Sequence, residues 1–408
     1  MTARYRLLLA DQALYAVSNL AAVALAGRVV DPDRFGRFML AFLSVSVAVN
    51  GVRAFWSEPE MAGRRVSHGP SRQAAVVAAV ASSMVAGAGI AGRVPWGAVV
   101  VAAAAAAVLQ DRLRYLALLT QAAAGALRSD ALWAAVMVAA GVMLTGPGAR
   151  GGLTTDATTV LGLWTLGAAV AAVANLPSAA GRAARRPKAP PAAEVPPHPL
   201  DAGAGRGLFL ADFAFQSGAT QAAGLLLGLV MASGPYGELR AAITLLGPIG
   251  VANTALTTQL LVGRPAGARL VGGIGAAALA VVAALAAVPN WLGTATLGSA
   301  WPGRVVLGLI GATVAAQTVS TWGLTRLKVA ARHRALLVLR GGGAAALAGA
   351  TVATAAVSER AVPVAVAYLA VNGVLALAAA GLAHRSIPAD TADAVAVAVA
   401  GQALAGTR

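Results

Sequence analysis

Cysteine is absent from the 408 residues, which excludes disulfides and thiolate metal sites. Lysine occurs only at Lys188 and Lys328. Neither follows a glycine-rich loop, so there is no Walker A and no visible ATPase engine. Acidic residues are scarce, 15 against 31 Lys and Arg, and most fall between apolar runs. The four histidines, His68, His198, His333 and His384, lie in or beside predicted connections. They share no spacing and read as solvated loop residues rather than metal ligands. No zinc-protease helix motif and no G-x-S-x-G elbow is present. Gly146-Pro147-Gly148-Ala149-Arg150-Gly151 fits G-x-G-x-x-G in letters, but it lies between two apolar runs and contains proline, which makes it a turn. These absences disfavour an enzyme, and no cofactor is implied.

What remains is hydrophobic. Apolar residues make up 58% of the chain and charged residues 11%, against about 45–50% and about 25% in soluble domains. Uncharged runs such as 74–92 and 272–287 approach or reach bilayer-spanning length at about 1.5 Å per residue. The chain therefore reads as an all-α polytopic membrane protein, and its abundant Ala and Gly suit close helix packing in lipid. Twelve spans are predicted, near 7–27, 36–55, 74–92, 96–118, 130–147, 157–177, 207–231, 236–262, 268–288, 302–324, 335–356 and 361–383. The charges Asp111, Arg112 and Arg114 in the last third of the fourth are expected to project into the cytoplasm. The first run imitates a signal peptide, but Asp11 and Gln12 near its start mark it as a retained span.

The net charge of +16 follows the positive-inside pattern and does not call for a nucleic-acid partner. With both termini cytoplasmic, about three quarters of the Lys and Arg fall on the cytoplasmic side.

One design occurs twice. DQALYAVSNLAAVALAGRVVDPDRFGR, from Asp11, and DFAFQSGATQAAGLLLGLVMASGPYGE, from Asp212, align at an offset of 201 residues. Asp11 falls on Asp212, Asn19 on Thr220, Gly27 on Gly228, and Phe35-Gly36 on Tyr236-Gly237. Two pseudo-symmetric six-helix lobes, 1–177 and 207–385, are expected. A Pro/Arg-rich cytoplasmic linker, 178–206, joins them, and 386–408 forms a tail. The seventh span also carries a GxxxG, Gly224 to Gly228, that lets a neighbour approach closely.

Polar groups inside spans mark functional faces. Asp11, Tyr15, Ser18 and Asn19 share one helix face, as do Asp212, Gln216 and Thr220. Ser46, Asn50 and Arg53 repeat the spacing on the second span, and Asn253 adds a polar group to the eighth. The functional reading is a hydrophilic cleft lined by Asn19, Asn50, Arg53, Gln216, Thr220 and Asn253, with Asp11 and Asp212 as ion-coupling candidates. The structural alternative makes Asp11 and Asp212 interfacial caps and lets Arg53 snorkel to the headgroups.

Asp11-Gln12, Phe35-Gly36, Arg53-Ala54 with Glu58-Pro59, Gln110-Asp111-Arg112-Leu113-Arg114-Tyr115, Ser129-Asp130 and Trp133 follow one another in an order that resembles polysaccharide flippases of the Wzx type. In the second half the resemblance rests on Asp212 and on Tyr236-Gly237-Glu238-Leu239-Arg240. These flippases belong to the multidrug/oligosaccharidyl-lipid/polysaccharide exporter superfamily. The resemblance implies two six-helix lobes around a central cavity and alternating access. A lipid-linked glycan would be moved between leaflets, with Arg53 as the position matching a substrate-phosphate contact. The chain departs from the pattern in carrying few Lys and Arg within its spans. A MATE-like cation-coupled antiporter, with Asp11 as a proton or sodium site, remains open. So does a non-transporting membrane partner of glycan-assembly proteins.

The topology yields a first prediction. Reporter fusions at Arg150 and Pro191 should report opposite sides of the membrane, Pro191 being cytoplasmic; both on one side would refute the twelve-span arrangement.

Overall fold

Runs of Ala, Leu and Val with few breakers favour helix, and helices satisfy every backbone group internally in lipid. The computed structural model describes residues 3–53, 57, 97–119, 123–145, 156–183, 219–247, 249–250, 253, 268–329 and 332–386. Among them no strand occurs. The helices are α1 (Ala3–Val29), α2 (Pro32–Val52), α3 (Gly97–Leu119), α4 (Ala123–Thr145), α5 (Ala157–Ala183), α6 (Ala219–Val230), α7 (Ser233–Leu245), α8 (Ala268–Ala287), α9 (Asn290–Leu297), α10 (Arg304–Val329), α11 (His333–Val357) and α12 (Ala361–Ser386).

These helices do not match the twelve predicted spans one for one. The predicted third span lies outside the described residues, and the seventh and eighth are described in part. The stretch after α8, expected as an external loop, instead folds into α9 and a 3₁₀ turn, Gly298–Ala300. Six described helices are long and apolar enough to cross a membrane, or seven if Gly275–Ala287 and Asn290–Ala300, bent by 94°, form one broken span. The molecule is a multi-pass membrane protein. Within α1, Ala13–Val29 is an apolar stretch.

Local chemistry sets the helix starts. The Asp31 side chain accepts from the Arg34 N–H at 2.9 Å, and Pro32 opens α2, a favourable N-terminus. Asp156 does the same for α5, accepting from the Thr159 N–H at 2.8 Å. That backbone bond holds the Asp156 carboxyl below the usual carboxylate range. Its stabilisation is therefore present above the ordinary carboxylate pKa and fades as pH falls through the lowered value.

α1, α3, α4 and α5 pack on one another, and α2 lies against α3. α10 packs most extensively on α12, with α8 and α11 beside them, and α6 packs on α11. The main contact between the two groups is α2 against α7, extended by α2 against α6. Here the two copies of the repeated design meet. A Cβ on Gly36 would collide with the Ser233 carbonyl, and one on Gly237 would lie 3.1 Å from the Gly36 Cα. Deeper along α2, the GxxxG glycines receive side chains: Gly228 faces Leu40 and Gly224 faces Leu43.

Gly36→Ala should destabilise the chain by about 1–3 kcal/mol, because the opposing group is backbone and cannot move aside cheaply. Thermal unfolding in detergent measures this; an unchanged midpoint would show that the helices part easily at Gly36.

Candidate functional site

Charged side chains in a lipid-embedded bundle survive only where they find partners. Among the described residues they gather at one end of the first helix group, where α1 begins and α2 ends. Asp111, Arg112 and Arg114, expected to project into solvent, are instead buried. The Arg114 guanidinium donates to Asp11 Oδ2 through Nη2 at 2.6 Å and through Nε at 2.9 Å. Its Nη1 reaches Asp111 Oδ1 at 3.3 Å, and Asp130 Oδ2 lies 3.1 Å from Nε. Arg53 grips Asp111 with two bonds, Nη2 to Oδ1 at 2.6 Å and Nε to Oδ2 at 3.2 Å. The second oxygen of Asp130 accepts from Gln110 at 2.6 Å.

Aromatic faces close the cluster. The guanidiniums of Arg53 and Arg114 lie 5.9 and 5.2 Å from the Tyr15 ring and 5.4 and 5.8 Å from the Tyr115 ring, within cation–π range. Tyr15 meets Trp133 edge to face, and Trp133 packs on Trp164 with centroids 4.8 Å apart. Asn175 donates to Ser129 at 2.7 Å, extending the polar contacts to α5. Helices α1 to α5 are thus joined around three carboxylates and two guanidiniums.

The residues singled out from sequence divide. Asp11 and Arg53 stand together in this cluster, and Asn50 lies one turn before Arg53 on α2. Asn19 sits one layer away, where its side-chain oxygen accepts from Trp164 Nε1 at 3.3 Å. Thr220 and Asn253 are half-buried in the second half of the chain. Asp212 and Gln216 lie outside the described residues. Arg114, Asp130 and Gln110 were missed as site residues. The available signal was Ser129-Asp130 inside an apolar run, with Asp111 and Arg114 three residues apart on one helix face.

A second polar site sits on α7. Arg240 and Tyr236, one turn apart, lie against the glycine notches of α6: Arg240 Nη1 is 3.4 Å from a Cβ placed on Gly224, and the Tyr236 ring 3.0 Å from one on Gly228. Arg240 Nε and the Tyr236 hydroxyl are buried and have no hydrogen-bond partner among the described residues. The nearby carboxylate, Glu238, is engaged elsewhere, accepting from the Gly303 N–H at 2.9 Å.

Neither a protein-family model nor a curated protein sequence matches the chain. Its fold is similar to the inward-facing structure of a multidrug resistance MATE family transporter of the MOP superfamily. The TM-score is 0.55, over 95% of this chain and 98% of that one, at 11% identity. The chain has a MATE-like fold. At that identity the likeness establishes architecture, and the buried cluster is a property of this chain's own residues.

Removing one partner of a buried ion pair strands the other. Arg114→Gln leaves three carboxylates facing one guanidinium and should cost about 3–5 kcal/mol. Asp11→Asn weakens two charged hydrogen bonds but leaves Arg114 its other carboxylate neighbours, and should cost less, about 1–3 kcal/mol. Denaturation in detergent ranks the two; a milder effect for Arg114→Gln would contradict the pairing.

Proposed function

We propose that this chain is a membrane transporter that moves an amphipathic anion, a polyprenyl-linked oligosaccharide or polysaccharide precursor, by alternating access. The observation that carries this reading is Arg240. In the first half both cluster guanidiniums are matched by carboxylates. Arg240 forms no ion pair among the described residues, and its Nε and the neighbouring Tyr236 hydroxyl stay buried and unbonded. An uncompensated cation next to the contact between helix groups suits a phosphate that arrives with the substrate.

In this reading residues 1–177 and 207–385 act as two lobes around a central cavity, joined by the 178–206 linker, with 386–408 as a tail. Both termini are cytoplasmic, and Asn19, Asn50, Thr220 and Asn253 serve the polar path. The end where α1 stops and α2 starts is then the outer end, and it is sealed at Gly36 and Gly237. Lipid-linked glycan, bilayer lipid and glycan-assembly proteins are the partners this function implies.

A second reading has its own observation. Among the described residues three buried carboxylates stand together around Arg114 and Arg53, and no three carboxylate or imidazole side chains are placed to hold a metal ion. A proton exchanged within that carboxylate group suits a cation-coupled antiporter with Asp11 in the coupling group.

One vesicle assay separates the two readings. With fluorescent polyprenyl-linked glycan, Arg240→Gln should slow translocation at least tenfold and Arg240→Lys less. Asp11→Asn should leave translocation intact in the flippase and remove its pH dependence in the antiporter. Normal translocation by Arg240→Gln would refute the anion role.

A further inference from the structure

The segment from α9 to the start of α10 belongs to the second half of the chain but is fastened to the end of α1. α8 and α9 meet at 94°, which folds the segment back across the bundle end. Its own bonds make it stiff. Trp301 fills the notch left by Gly293, its indole N–H donates to Asn290 at 3.4 Å, and Arg304 donates to the Val288 carbonyl at 3.3 Å. The Glu238 contact with Gly303 holds it to α7.

Its attachment to α1 is of another kind. The Arg28 guanidinium donates to the Thr296 carbonyl at 3.1 Å. The Ser299 hydroxyl lies 2.9 Å from the Gly27 carbonyl and 3.1 Å from that of Val30. These are the carbonyls left over at a helix C-terminus, which need donors from elsewhere. The backbones also touch: Gly298 has φ 57°, and a Cβ there would collide with the Gly27 carbonyl, as one on Gly27 would with Ala300. The turn also packs on α2 and α7, so it lies over the junction sealed by Gly36 and Gly237.

We propose that this clip, Asn290–Ala300, is an outer latch, a reading that rests on alternating access. It holds the closed outer end because Ser299 donates to the carbonyls that end α1 and Arg28 of α1 donates to the clip's Thr296 carbonyl, and these bonds must be released before that end can open. The partly exposed, neutral-acceptor bonds at Arg28 and Ser299 suit repeated breaking. The ion pairs of the cluster are buried within one helix group and have no such access.

The absence of native cysteine permits a direct test. Leu40→Cys places a thiol behind the seal, where Leu40 is 5% exposed. In inside-in vesicles, a membrane-impermeant maleimide added outside reads the fraction of time the outer end is open. Adding Arg28→Ala and Ser299→Ala should speed labelling at least threefold. Arg28→Lys with Ser299→Thr, which keeps both donors, should return it toward the starting rate. Gly298→Val, which wedges the Gly27 contact apart, should speed it as well. Equal labelling in the double alanine and Gly298→Val variants would overturn the latch, whatever transport shows. Faster labelling in a chain that moves no glycan would keep the latch and remove the transport reading.

Discussion

A charge buried in a bilayer must be answered by another charge, and much of the first helix group is arranged around that requirement. Lipid tails are as apolar as leucine, so burying apolar faces does little to decide which helix lies beside which. Arg114 decides it here. Its planar fork has fixed bonding directions, and those directions reach Asp11 of α1, Asp111 of its own helix and Asp130 of α4. Arg53 at the end of α2 closes on Asp111 from the other side. Moving any of these helices by one residue would break two-point contacts and leave a carboxylate unpaired in the interior, a penalty larger than most packing differences.

Between the helix groups the rule is the opposite. α2 meets α6 and α7 through glycine notches, apolar side chains and backbone. Among the described residues such a surface is close-fitting yet carries no ion pair that must be broken for it to part. Stiffness within a group and plain steric fit between groups is the combination that the proposed alternating access would need. The clip from α9 adds the missing polar hold, and it does so at the end of α1, where unpaired carbonyls offer it acceptors without disturbing the helix interior.

Most helices were legible in the sequence because the bilayer imposes length and apolarity on them. The α10 to α12 boundaries fall within a few residues of the predicted spans for that reason. α9 was not legible: eight residues bounded by Pro289 and Gly298, with Gly293 inside, read as loop, and only the tertiary fit of Trp301 into Gly293 makes them a helix worth forming. The polar residues were half legible. Helical spacing put Asp11, Tyr15 and Asn19 on one face, but spacing names a face and not what it meets. Asp111 and Arg114 looked like a solvated helix end because charges late in a span usually are. Their burial follows from α1 and α4 bringing Asp11 and Asp130 to the same depth, which a single-chain pattern does not display. Asp212 and Gln216 lie outside the described residues.

The repeat keeps its crossing geometry more fully than its charges. Gly36 and Gly237 match and touch, since two backbones at one crossing both need the missing Cβ. Asp11 has a counterpart in Asp212, but Asp111 and Asp130 fall opposite Ala312 and Ala331. α8, α10, α11 and α12 contain no Asp or Glu, so the second group cannot build a counterpart of the Arg114 cluster from them. Its arginine at the crossing, Arg240, takes the position that Met39 holds in the first half at the same offset, and Met39 is an ordinary buried apolar residue. One half therefore spends its arginines on holding helices together. The other keeps a guanidinium against a glycine notch, with no ion pair to it among the described residues. Among the described residues, then, the first group ties its buried cluster arginines to carboxylates, while the second leaves Arg240 beside a glycine notch, and it is at Arg240 that the proposed anionic substrate would find its counter-charge.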